Sequence, residues 1–159
     1  MSDAALLELI ERVAEEAGFD LVDFTIAGTS QRPVLRVKAD LPDSRPGHGI
    51  GVGQCAALSR ALERELEAGG LVGPRYRLEV SSPGLERPLR WARHWRRFVG
   101  RRVRVRARGW DRARTREIVA LPDDAHVVLR SPDGEETNLA LAEIRRATLC
   151  VDWDTIGKP

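Results

Sequence analysis

The sequence predicts an α+β chain in two parts, and three observations predict it. Apolar residues recur with helical spacing in DAALLELIERVAEEA and CAALSRALERELEA, which requires two amphipathic helices. The apolar period is two in FDLVDFTI, VLRVKA, YRLEV and RRVRVRAR, the pattern of strands buried on one face. Between the last two stands SSPGLERPL, whose two prolines and glycine interrupt regular structure and end one compact part before another begins. The expected arrangement is an N-terminal α-β-β-α-β domain over residues 1–83, a corner with a connecting helix over 84–100, and a C-terminal five-stranded β-barrel over 101–159.

In the first part, Ser2 is placed to cap the opening helix, and Gly18 can take the left-handed conformation that closes it. Leu6, Ile10, Val13 and Ala17 share one helical face, with Leu9 beside them. Val22, Phe24 and Ile26 line one side of the next segment; after the turn GTSQRP, Leu35, Val37 and Ala39 line one side of another, opposite Arg36 and Lys38. Two antiparallel strands follow. DLPDSRPGHG carries two prolines and two glycines and is expected to be an exposed loop. From Gln54, the residues Cys55, Leu58, Leu62 and Leu66 form a second apolar stripe that ends at Gly69-Gly70 and packs on the sheet. Tyr76, Leu78 and Val80 make the apolar side of a third strand.

At the corner, Pro83 fixes its own φ and holds Ser82 extended, while Gly84 is free to take a positive φ. Pro88 suits the first turn of a helix whose Trp91, Trp95 and Phe98 fall at i, i+4 and i+7, an aromatic stripe expected in the core between domains. Val103, Val105 and Ala107 then point inward. Runs at Glu117–Leu121, His126–Arg130, Thr137–Leu139 and Thr148–Val151, separated by Pro122-Asp123 and Pro132-Asp133-Gly134, supply four more barrel strands.

With 42% hydrophobic and 31% charged residues the chain has the balance of a globular protein rather than a disordered one. The start, MSDAALLELIERVAEEAGF, has an acidic residue where a signal peptide has basic ones, and no apolar run approaches the roughly 18 residues of a membrane span. A cytoplasmic protein with no membrane partner is expected. Cys55 and Cys150 lack the spacing of a zinc site or a disulfide framework and are expected to be buried small apolar groups.

Catalysis and cofactor binding find little support. His48, His94 and His126 show no paired spacing for a metal and are expected to be surface or half-buried imidazoles. Ser81 and Ser82 lack the context of an exposed nucleophile. GHGIGVG, with glycines at 47, 49, 51 and 53, lacks the lysine of a phosphate-binding loop. Asp123-Asp124 and Glu135-Glu136 belong to turns. No catalytic residue, metal site or cofactor is expected, and the chain is read as a non-enzyme.

Charge is the informative feature. The net +2 conceals 7 basic and 12 acidic residues over 1–70, 15 and 4 over 71–120, and 4 and 8 over 121–159. Of the 26 basic residues 24 are arginine, a bias that explains the choice of Arg over Lys but not its clustering. Arg87, Arg90, Arg93, Arg96 and Arg97 surround the post-corner helix, and Arg101, Arg102, Arg104, Arg106 and Arg108 accompany the next strand, four of them facing outward. A rigid strand holds successive guanidiniums about 6.5–7 Å apart, and each can grip a phosphate bidentately. The alternative is a solvated outer face, against which stands the near-uniform sign of the band. The ten arginines are therefore expected to bind RNA phosphates.

The corner YRLEVSSPGLERPL, together with GFDLVDF, CAALSRALE, HWRRFVGRRVRV and LALAEIRRATL in the same order, resembles the bacterial ribosome maturation factor RimP family. Ser81, Ser82, Pro83, Gly84, Leu85, Arg87, Pro88 and Leu89 match its interdomain motif position by position. Where family members commonly carry an acidic residue before the cysteine of the second helix, this chain has Gln54, and RARTREIVALPDDAHVVL is short where a glycine-containing strand is usual. The resemblance implies an N-terminal α/β domain and an SH3-like or Sm-like barrel. It also implies a cytoplasmic assembly factor that binds the free or immature small (30S) ribosomal subunit and meets rRNA and small-subunit ribosomal protein; a monomer is expected. A second reading makes the barrel a protein-interaction module that docks a ribosomal protein without RNA contact.

Overall fold

The computed structural model describes residues 3–44, 48–84 and 87–151. The Ser2 cap, Gly47 and Leu85 lie outside these residues. The chain is mixed α+β with two sheets, and it divides into two compact units between Pro83 and Gly84.

The first unit opens with α1 (Asp3–Glu16), followed by β1 (Asp20–Gly28) and β2 (Pro33–Asp40). These strands pair antiparallel from Asp20↔Asp40 to Gly28↔Pro33. Helix α2 (Val52–Gly69) then carries the chain across to β3 (Arg77–Ser81), which pairs parallel with β2 and leaves β2 central in the order β1-β2-β3. A parallel pair needs such a crossover helix. Leu35, Val37 and Ala39 of β2 are buried, as are Leu6, Ile10 and Val13 of α1 and Leu58, Leu62 and Leu66 of α2.

Four details differ from the expected pattern. Ala17 is exposed because α1 stops at Glu16, and Ala14 takes its place inside. Leu21 is buried together with Val22 because the β1–β2 register slips between Leu21 and Asp23, a bulge that turns two successive side chains inward. Helix α2 begins two residues early: Gly51 is its N-cap, and the Gln54 Oε1 accepts a hydrogen bond from the Gly51 N–H at 2.8 Å. The amide at position 54 thus does the reciprocal half of a capping box without a carboxylate. Cys55 and Cys150 are half-buried rather than buried. Burial, and then the nearby Asp40 carboxylate, push the Cys55 thiol up from its ordinary pKa.

The second unit contains α3 (Ala92–Arg97), β4 (Arg102–Ala107), β5 (Arg114–Asp123), β6 (His126–Arg130), β7 (Glu136–Ala140), a 3-10 turn at Leu141–Glu143, and β8 (Ile144–Leu149). The strands form one antiparallel sheet in the order β7-β6-β5-β4-β8. Val103, Val105, Ile118, Val127, Leu129, Ala147 and Leu149 form its core with Leu89 and Trp95. The helix is shorter than its aromatic spacing suggested. Pro88 does not start it; Pro88 instead bridges Thr148 of β8, with the Leu89 N–H donating to the Ala147 carbonyl and the Leu149 N–H donating to the Arg87 carbonyl. Proline can accept this place because the ladder there asks nothing of its missing N–H. Trp95 is 1% exposed and belongs, with half-buried Phe98 packed beside it, to the core of the second unit itself rather than to an interdomain stripe.

Candidate nucleic-acid interface

Strand β4 is the part of the structure that orders the arginines best. Val103 and Val105 are fully buried and Ala107 nearly so, which anchors the strand and leaves Arg102, Arg104 and Arg106 on the opposite, exposed face, with Arg108 exposed just past the strand end. The backbone of Arg108 is held by its N–H bond to the Glu143 carbonyl at 2.7 Å. Among the described residues none of these four guanidiniums lies within ion-pair range of a carboxylate.

The cross-strand neighbours of β4 define the face. Arg104 stands opposite Thr115 on β5 and Thr148 on β8, and Arg106 stands opposite Arg146 on β8. Arg102 stands opposite Glu117. That carboxylate is engaged elsewhere: Arg130 on β6 donates to Glu117 at 2.8 Å and to Glu136 on β7 at 3.0 Å. The hydrogen bond to Glu136 and the charge of Glu117 hold the Arg130 guanidinium above its ordinary pKa. The sheet therefore carries balanced charge across β5, β6 and β7 and uncompensated positive charge along β4 and β8.

The arginines around α3 are arranged differently. Arg90 and Arg93 are exposed and lie over the Trp91 ring, their Cζ atoms 5.1 and 4.8 Å from its centroid, while His94 meets that ring edge-on at 5.1 Å. Arg97 lies over Phe98 at 5.1 Å. Three of the expected contacts are engaged within the fold. Arg87 is 6% exposed and packs over Phe98 at 5.3 Å, so it is a buried structural cation. Arg96 is ion-paired with Asp124. Arg101 is half-buried and donates to the Cys150 carbonyl at 3.2 Å. His94 is also a correction, since it is 1% exposed and its Nδ1 accepts from the Arg90 and Trp91 backbone N–H groups at 3.2 and 3.4 Å, serving donors at the start of the short helix.

Sequence reasoning missed Arg146. Counting alternately back from buried Leu149 and Ala147 would place Arg145 inward, an unstable position for an arginine. The register instead slips between Arg106 and Ala107, so Arg145 is the extra residue of a bulge and both Arg145 and Arg146 are exposed. The paired arginines in IRRATL were the available signal, because two adjacent charges cannot both obey a period of two. Of the interdomain motif, Ser81 closes β3 and Gly84 has a φ of +75°, the left-handed region expected for it. Among the described residues no three His, Cys, Asp or Glu side chains gather as metal ligands, and no helix is long and apolar enough to cross a membrane.

A family model for the RimP N-terminal domain matches residues 9–86. The match takes in 78 of the 159 residues and supports assignment to the RimP family. A RimP chain has a role in ribosome maturation, and membership implies association with the small ribosomal subunit. The match covers most of the first unit and ends at residue 86, so the arginine face of β4 and β8, in the second unit, lies outside it.

Proposed function

We propose that this RimP chain assists late assembly of the small (30S) ribosomal subunit, binding the free or immature particle through rRNA phosphates on the β4 face and through a ribosomal-protein surface. The observation that carries the RNA contact is the set of exposed guanidiniums at Arg102, Arg104 and Arg106, on a strand whose other face is core, and at Arg108 just past its end, none within ion-pair range of a carboxylate among the described residues. Arg90 and Arg93 around Trp91 add a second cationic group with an aromatic centre, a combination suited to nucleic acid. The five antiparallel strands around one apolar core support an SH3-like barrel for the second unit, following the α/β domain. The role is that of a non-catalytic, cytoplasmic, monomeric binding factor.

Co-sedimentation with separated small, large and joined ribosomal particles tests the reading. Partition with free small subunits is expected, and its affinity should fall with salt at a log–log slope of about −3.5 to −4.5 for some five phosphate contacts. Salt-insensitive binding would rule the phosphate mechanism out.

The second reading, docking of a ribosomal protein without RNA contact, draws on β7, which lies at one edge of the sheet. An edge strand can accept an extended peptide as an added strand. Charge reversal at Arg104 and Arg106 separates the two. Loss of rRNA crosslinking with protein binding retained supports phosphate contact; slower association with unchanged dissociation supports docking, with the arginines acting only by steering.

A further inference from the structure

We propose that Arg106 and Arg146, opposed across β4 and β8, form a clamp for one RNA phosphodiester, with Arg104 positioned for the next phosphate along the strand. The inference rests on the phosphate-binding reading above and assigns it a specific pair, one member of which lies outside the basic segment of the sequence.

Two residues directly opposite on antiparallel strands have Cβ atoms about 4.5–5.5 Å apart, and like charges in that relation destabilise the sheet. Arg106 and Arg146 occupy that relation, both are exposed, and neither has a carboxylate within ion-pair range among the described residues. An anion between them converts the repulsion into two charge-assisted contacts. Arginine suits it because its planar fork matches phosphate oxygens, and the two forks approach from neighbouring strands.

The surroundings limit where the chain can lie. Arg104, two residues along β4, stands diagonal to Arg146 and is flanked by Thr115 and Thr148, short hydroxyl side chains that leave its head group uncovered and offer further donors. One step further, Arg102 faces Glu117, and beyond it the Glu117–Arg130–Glu136 ladder sets two carboxylates against one guanidinium, a net negative strip that repels phosphate. The bulge at Arg145 adds local twist next to the pair, and a bulge is a common device for re-aiming a side chain at a sheet surface. Same-face residues of a strand repeat at about 6.5–7 Å, a pitch that suits successive phosphates of an extended sugar–phosphate backbone.

The test uses the full chain with a fluorescein-labelled uridine oligonucleotide and, separately, a polyglutamate peptide. Arg146→Gln should lower the magnitude of the log–log salt slope by about 0.7, the contribution of one single-strand phosphate. It should also raise the thermal midpoint of the unliganded chain, since a facing like charge is gone. Arg145→Gln removes the same charge one residue away and should change the slope less. Equal slopes for the Arg145 and Arg146 variants, or a lowered midpoint for Arg146→Gln, would overturn the clamp. If Arg104→Gln and Arg106→Gln weaken oligonucleotide binding while Arg146→Gln does not, the clamp fails and the wider phosphate reading stands; if none of the three does, both fail. Equal affinity for polyglutamate would overturn the assignment to phosphate.

Discussion

Gly28 and Gly70 offer a controlled comparison of two ways in which an alanine can harm the first unit. Both glycines have positive φ, +74° and +64°, and both lie in the unit built from α1, α2 and the β1-β2-β3 sheet. At Gly70, the left-handed cap of α2, an added Cβ meets nothing within 4 Å. Gly70→Ala therefore carries only the left-handed backbone penalty of about 1–2 kcal/mol, partly offset by the lower entropy of an unfolded alanine, for a net loss of about 1 kcal/mol. At Gly28, in the β1–β2 hairpin, the same Cβ would sit 2.5 Å from the Arg32 carbonyl oxygen and 3.2 Å from the Val34 nitrogen. The obstruction is backbone, and that carbonyl also accepts the Thr29 N–H bond that closes the loop. Moving it adds an overpacking cost of about 1–3 kcal/mol and weakens a hydrogen bond of about 1 kcal/mol. Gly28→Ala should thus cost about 3 kcal/mol, some 2 kcal/mol more than Gly70→Ala. Urea unfolding followed by circular dichroism measures both in one transition; with a slope of about 1 kcal/mol per molar urea for so small a unit, the two midpoints should differ by about 2 M. Coincident midpoints would refute the reasoning, because they would mean that the hairpin backbone yields freely.

Glu117→Gln removes the carboxylate opposite Arg102 and should tighten oligonucleotide binding while steepening its salt slope by up to about 0.7, read by fluorescence anisotropy; an unchanged slope would show that Arg102 takes no part in phosphate contact. Trp95→Ala empties a fully buried site in the second unit's core and should cost about 3–5 kcal/mol in chemical unfolding, a loss under about 1 kcal/mol being incompatible with that burial. Asp123 accepts a side-chain bond from His126 and a backbone bond from Ala125, which together hold its carboxyl below the ordinary pKa of about 3.9. Since the folded value is the lower one, its stabilising contribution is present above that ordinary value and is lost as pH falls through the folded value. A carboxyl-detected NMR titration should place Asp123 below 3.9, and a midpoint at or above it would contradict the hydrogen-bond geometry.

Periodicity made much of this architecture legible. Leu58, Leu62 and Leu66 of α2, the hairpin of β1 and β2, and the inward valines of β4 follow from spacing alone, because one repeating interaction with the core decides each of them. Features set by a single irregularity were not legible. Leu21 and Arg146 depend on bulges, which shift a register by one residue and leave no periodic trace. Arg87 and His94 are polar residues whose burial is settled by tertiary partners, the Phe98 ring for one and backbone N–H groups for the other. Pro88 reads locally as a helix start, yet strand β8 offers it a bridge. Within the candidate interface, the outward arginines of β4 were visible and their lack of acidic partners was not, since the fate of Glu117 depends on Arg130, thirteen residues away across a strand pair.

The pairing of residues 87–89 with β8 decides where this half of the protein can be cut. A fragment beginning at Arg101 would discard Leu89 and Trp95 and leave the backbone groups of Ala147 and Leu149 open to any passing strand, so self-association is its expected fate. A fragment that begins upstream of Arg87 keeps its own border closed, with a proline in the sealing segment where an intruding strand would look for a donor.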